Sequence, residues 1–229
     1  LHVPFVATKI GIDEKANIIA ENIKIENGSY VFDIQYHNEK IENVKFFLPG
    51  RHNLSNALMA FAMAKNYGLE NQKIIEALLS FRGIKRRFSY IIKNDNFIFI
   101  DDYAHHPTEI NAVYQAVTEL YPNKKVLAVF QPHLFSRTRD FADDFAKSLS
   151  QFENLLLMEI YPAREKPING ITSSWLLEKI SSKNKKLVSK IDLIEEILNQ
   201  KPEILVTIGA GDIGELILDI KENIIKFNS

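Results

Sequence analysis

Residues 97–110 read FIFIDDYAHHPTEI, and this stretch decides the fold. Phe97, Ile98, Phe99 and Ile100 form an unbroken apolar run, the pattern of a strand buried on both faces of a parallel sheet. The run ends in Asp101, Asp102, an aromatic residue and two histidines. Pro107 then suits the first position of a helix, where no N–H donor is needed, and Glu109 suits the positive end of the helix dipole. A strand that runs into polar side chains and a helix start is how open α/β sheets build ligand sites.

The same alternation continues on the carboxyl side. Apolar runs at Ser89 to Ile92, Val126 to Phe130, Leu155 to Ile160 and Ile204 to Ile208 are expected strands. Helices are expected to begin near Pro107, Thr138, Ser173, Asp192 and Asp212. Together these predict an α/β domain over 85–229: a Rossmann-like, mostly parallel sheet with helices on both faces. Upstream, Ala20 to Ile25, Tyr30 to Tyr36 and Glu42 to Phe47 read as short strands, with turn signals at Asn27-Gly28 and His37-Asn38. After Pro49-Gly50, Leu54, Ala57, Leu58, Phe61 and Ala62 recur at helical spacing, followed by Ile74, Ile75, Leu78 and Leu79. This region of short strands and a helix pair, 1–84, is expected to be a separate unit, with the boundary at Phe81-Arg82-Gly83.

Composition narrows the function classes. The chain has 229 residues, 46% of them apolar, enough for one large core or two smaller ones. A net charge of -1 argues against a general nucleic-acid or membrane-surface binder. There is no cysteine, so any metal would need His, Asp or Glu ligands. No apolar run approaches a membrane span, and Leu1-His2-Val3-Pro4 lacks the shape of a signal peptide, so a cytoplasmic protein is expected. The chain does not begin with Met and reads as a piece of something longer.

Five groups of residues carry candidate chemistry. In the first, Asp102 could accept from a ribose hydroxyl or hold a metal-bound water, and His105 could bind an anion or shuttle a proton. The bland alternative is a helix cap with solvated histidines. Asp102, His105, His106 and His133 also form a conceivable zinc set, although adjacent histidines rarely reach one ion. In the second, FQPHLFSRTR at 130–139, Arg137 could fork onto a carboxylate or phosphate, with Ser136 or Thr138 as the helix cap. In the third, Asn53 and Asn56 share a helix face and could read a base, or Asn53 could simply cap. In the fourth, Lys85, Arg86 and Arg87 at the unit boundary could neutralise phosphates, or be a solvated linker.

The fifth group, GAGDIG at 209–214, matches GxGxxG but lacks the further strand and the acidic residue about 20 positions on that dinucleotide binding requires. Residues 215–229 look helical instead. A glycine turn for close packing, or a minor anion contact, is the expected role. No GxxxxGK[ST] phosphate loop occurs in the sequence.

In order along the chain, GRHNLSNAL, KRRF, DDYAHHPTE, QPHLFSRTRDF, YPAREKPI and GAGDIG resemble the Mur ligases, the ATP-dependent amide-forming enzymes of peptidoglycan synthesis. The resemblance implies an enzyme of three domains: one that binds UDP, a central ATPase domain and a Rossmann-like C-terminal domain that closes on it. Residues 1–84 would be the end of the central domain and 85–229 the whole C-terminal domain. The UDP domain, the phosphate-loop lysine and most Mg²⁺ ligands would lie on the missing segments of the same protein.

The implied reaction uses ATP to phosphorylate the muramoyl carboxylate of UDP-N-acetylmuramate, after which the amine of L-alanine attacks the acyl phosphate. A recycled tripeptide is the rival amine, and a non-catalytic binding module is the rival role for the fragment alone. By motif, Asn53 and Asn56 would lie by the adenine, Arg87 by the phosphates and Asp102 by the ribose. Tyr103, His105, His133 and Arg137 would face the substrate and the incoming amino acid. Leu134 stands where some relatives carry an arginine.

Overall fold

The computed structural model describes residues 10–12, 16–26 and 29–227. The Asn27-Gly28 turn and the Leu1-His2-Val3-Pro4 start lie outside the described residues. Two compact units divide between Gly83 and Ile84.

The first unit is a four-stranded sheet in the order β1 (Ile10–Ile12), β2 (Ile18–Glu26), β3 (Ser29–Tyr36) and β4 (Glu39–Phe46). β1 runs parallel to β2, and the other pairs are antiparallel. Two helices, α1 (Arg51–Asn66) and α2 (Asn71–Ser80), close the core. Tyr30, Phe32 and Ile34 of β3 alternate onto the same face and pack with Leu54, Leu58 and Phe61 of α1. The three-residue β1 is not legible from periodicity, because so short a run shows no alternation.

The second unit is a six-stranded sheet in the order β5 (Ser89–Lys93), β6 (Ile98–Asp102), β10 (Ile204–Ile208), β7 (Val126–Phe130), β8 (Asn154–Met158) and β9 (Asn184–Val188). Only β5 is antiparallel to its neighbour. The helices are α3 (Pro107–Leu120), α4 (Phe135–Asp140), α5 (Ala142–Leu149), α6 (Ser173–Lys179), α7 (Leu193–Gln200) and α8 (Ile217–Phe227). Alternate strand residues feed two separate cores. Ile100, Ala128, Phe130, Leu155, Leu157 and Val206 meet α3, α5 and α6 on one face. Phe99, Leu127, Val129, Leu156 and Leu205 meet α7 and α8 on the other. The α/β architecture with helices on both faces is therefore as expected.

Two expectations are corrected, and one element was not foreseen. The helix anticipated at Thr138 begins at Phe135 and breaks at Phe141 before α5. Thr138 is fully buried inside it, with its hydroxyl donating back to the Leu134 carbonyl. The helix anticipated at Asp212 begins as a 3-10 turn, Asp212–Glu215, and becomes α-helical only at Ile217. β9 was not anticipated, because Asn184, Lys185 and Lys186 are exposed on the sheet edge, where charge rather than apolarity protects a strand.

Candidate functional site

β10 lies between β6 and β7, so the polar ends of these two strands flank it at the carboxyl edge of the sheet. Such an edge, where neighbouring connections diverge, is where open α/β sheets bind ligands.

Asp102 ends β6 and is 6% exposed. The Phe88 N–H donates to its Oδ2 and the Ala104 N–H to its Oδ1, both at 2.7 Å. Burial pushes its carboxyl up to about 6, against the pull of those two donors. Each oxygen keeps one lone pair, so a hydroxyl donor remains a chemically suitable partner. The neighbouring Asp101 is an anchor, accepting from Arg86 Nε and from the Thr207 hydroxyl, each at 2.9 Å.

Of the two adjacent arginines, Arg86 is spent on the fold. Its Nη2 donates to the Gly209 carbonyl at 2.7 Å, and its guanidinium lies 5.1 Å from the Tyr103 ring centroid. A Cβ on Gly214 would stand 2.6 Å from the Arg86 Cζ, so that glycine makes room for the cation. Arg87 keeps a side chain 51% exposed, with Glu109 Oε1 3.7 Å away. Of these two arginines, Arg87 is the more exposed.

The two histidines divide their roles. His106 is the N-cap of α3, its Nδ1 accepting from the Thr108 N–H, while Glu109 accepts from the N–H groups of His105 and His106. His105 Nδ1 lies 3.0 Å from the Tyr103 carbonyl. A carbonyl can only accept, so this nitrogen carries a proton. The cap reading therefore holds for His106, while His105 Nδ1 also lies 3.4 Å from Glu109 Oε2. Its ring faces that of His133, with centroids 6.3 Å apart, and Tyr103 stands beside it at 5.5 Å.

His133 and Arg137 come from the β7 end. The His133 ring stacks on Tyr161, centroids 5.7 Å apart, and burial, then the charge of Arg137, push its pKa down. His133 Nδ1 and Arg137 Nη1 are both buried, and neither has a hydrogen-bond partner among the described residues. Buried polar atoms are nearly always paired, so two such nitrogens at the end of β7 are open to a partner from outside the described residues. Neither Ser136 nor Thr138 caps α4. Leu134 stands at the N-cap with φ 71, and Ser136 is instead turned to Glu165.

GAGDIG serves packing, as expected. Gln131 donates to Asp212 Oδ1 at 2.6 Å and accepts from the Ile213 N–H at 2.9 Å. A Cβ on Gly211 would meet Tyr161 Cβ at 2.8 Å. The zinc set is not assembled: among the described residues no group of three or more His, Asp or Glu could hold a metal ion. Asn53 and Asn56 lie on α1 of the first unit. Asn53 is inside the helix and donates to the Pro49 carbonyl at 2.7 Å rather than capping, the cap position being Gly50; Asn56 is exposed.

Glu165 was not singled out from the sequence, and the anchoring roles of Arg86 and Glu109 were not read from it. Arg86 and Glu109 sit in motifs that were singled out, but only the fold tells an anchoring charge from a free one.

Comparison with known proteins identifies the family. The model of the Mur ligase glutamate ligase domain matches residues 86–212, and that of the Mur ligase middle domain matches 3–64. A UDP-N-acetylmuramate–L-alanine ligase of Flavobacterium psychrophilum is 58% identical over 97% of this chain and 50% of its own length. The enzyme of the same name from Flavobacterium johnsoniae is 60% identical over 96% of this chain and 49% of its own. The crystal structure of a UDP-N-acetylmuramate–alanine ligase from Thermotoga maritima superposes with a TM-score of 0.76 at 25% identity, covering 96% of this chain and 47% of that one. The chain spans about half the length of the curated relatives it matches. With more than half of its residues matched by one family model, the chain belongs to the Mur ligase family.

Proposed function

We propose that these residues form part of a UDP-N-acetylmuramate–L-alanine ligase, an ATP-dependent enzyme making an amide bond in peptidoglycan synthesis. Residues 1–84 would close the central ATP-binding domain and 85–229 form the C-terminal domain. The observation that carries the reading is the pair of unpaired buried nitrogens, His133 Nδ1 and Arg137 Nη1, beside His105. They suit a carboxylate-bearing substrate, since a guanidinium and an imidazole N–H both donate to anions.

In this reading ATP phosphorylates the muramoyl carboxylate, and the L-alanine nitrogen forms the new C–N bond as the C–O bond to phosphate breaks. Arg87 meets the nucleotide phosphates, where an exposed cation stabilises developing charge. Asp102 accepts from the ribose, and Asn53 and Asn56 lie by the adenine. His105 Nε2 takes a proton from the attacking amine, while Tyr103, His133 and Arg137 orient the substrate and amino acid. Mg²⁺ would neutralise phosphate charge, but the described residues make no site for it. Its ligands, like the phosphate loop, are assigned to the part of such an enzyme outside these 229 residues. The chain alone is therefore expected to be inactive, and no helix among the described residues is long and apolar enough to cross a membrane.

The test is phosphate release by the whole protein carrying this chain, with ATP, Mg²⁺ and UDP-N-acetylmuramate, comparing L-alanine with the recycled tripeptide. Release driven by L-alanine supports the reading. Release driven by the tripeptide moves the assignment to the recycling ligase, and silence with both leaves a binding module.

A further inference from the structure

Helix α4 carries Arg137 yet lacks a capping side chain, because Leu134 stands at its N-cap and cannot accept a hydrogen bond. The free N–H groups of its first turn must find acceptors elsewhere. Glu165, 29 residues on, supplies them. The Ser136 N–H donates to Glu165 Oε2 at 2.9 Å, and the Ser136 hydroxyl donates to Oε1. The Phe135 N–H adds to the same carboxylate. A carboxylate at a helix start also gains from the helix dipole.

The loop that bears Glu165 is stitched to the β7 end at its other side too. The Tyr161 N–H donates to the Pro132 carbonyl at 2.8 Å, and the Leu134 N–H to the Tyr161 carbonyl at 3.0 Å. Tyr161 stacks on His133. α4 has only six residues, and Phe141 joins it to α5. Glu165 of loop 161–168 is the side chain that holds the first turn of α4.

We propose that Glu165 is a positioning residue for the amine substrate. By capping α4 from loop 161–168, it fixes where His133 and Arg137 present their unpaired nitrogens. The loop thereby governs amino-acid selectivity through these two side chains. This rests on the reading above that His133 and Arg137 receive the substrate. The charge of Glu165 also reaches His133, where it opposes the lowering effect of Arg137.

The experiment is steady-state phosphate release by the whole protein, varying L-alanine and ATP separately, in the wild type, Glu165→Ala, Glu165→Gln and Ser136→Ala. Loss of a charge-assisted clamp should raise the KM for L-alanine about tenfold or more in Glu165→Ala, with the KM for ATP changed by less than about twofold. Glu165→Gln keeps an acceptor and should recover much of the loss. Ser136→Ala, which removes one donor, should shift the same constant by less and stands in if Glu165→Ala does not fold. An unchanged KM for L-alanine in a folded Glu165→Ala protein overturns the proposal. So do equal rises in both KM values with a lowered Tm, which would mark a structural role alone. A wild type that releases phosphate with ATP but never in response to L-alanine overturns the functional reading, and Glu165's role with it.

Discussion

Arg86 donates from Nε to Asp101 Oδ2 at 2.9 Å, in a pair whose aspartate side chain is only 2% exposed. That bond, with the one to the Gly209 carbonyl, ties the entry of the second unit to β6 and to the loop after β10. The next residue, Arg87, is left half exposed.

The two arginines should therefore fail differently. Breaking a buried ion pair by removing one partner costs about 3–5 kcal/mol, so Arg86→Ala should lower the urea midpoint markedly. Arg87→Ala should change stability by no more than about 0.5 kcal/mol, as an exposed substitution does. In the whole enzyme it should cut turnover by roughly 100-fold, the scale of losing one charge-stabilising donor. Unchanged turnover in Arg87→Ala would end its assignment to the phosphates.

Gly211 makes a second prediction. Its Cβ would run into Tyr161 Cβ at 2.8 Å and against the Gln131 amide. Gly211→Ala should destabilise the fold by about 1–3 kcal/mol, the cost of overpacking, and should loosen the stacking of Tyr161 on His133. Thermal unfolding measures the first effect and the KM for L-alanine the second. A variant as stable as the parent would mean that the 209–214 loop is not a packing device.

Asp102 gives a pH dependence with a definite sign. Its folded-state pKa, pushed up to about 6 by burial, lies above the unfolded value of 3.8. The folded protein thus holds this proton more tightly. Its favourable contribution is complete below 3.8, is lost as pH rises toward about 6, and changes no further above that. The difference of about 2 units corresponds to roughly 3 kcal/mol. Urea midpoints of wild type and Asp102→Asn between pH 4 and 7, an interval of about 3 units, should diverge in that direction. If the carboxylate accepts from the ribose, the KM for ATP should also rise as pH drops below about 6.

Much of this architecture is legible in the residues, for physical reasons. Val126–Phe130 and Ile204–Ile208 are continuous apolar runs because both of their faces are buried. Pro107 marks the start of α3 because its missing N–H costs nothing there. Clustering of 101–109 and 130–139 follows from topology: both leave parallel strands at the same edge. What escaped the sequence depends on contacts distant along the chain. β9 is polar because it is an edge. The left-handed backbone of Arg86, φ 61, lets its side chain turn to Asp101 while Arg87 turns away, and no local pattern distinguishes the two. Glu165 caps a helix 29 residues earlier, which spacing rules for caps cannot detect.

The most direct test of the account is the L-alanine dependence of phosphate release by the whole protein when Arg137 is replaced by methionine. If Arg137 binds the substrate carboxylate, its removal should raise the KM for L-alanine by about tenfold or more while leaving the KM for ATP in place. It should also let the His133 pKa rise, since the Arg137 charge helps to hold it down. A folded Arg137→Met enzyme with a wild-type KM for L-alanine would contradict the claim that the unpaired nitrogens at the end of β7 receive the substrate.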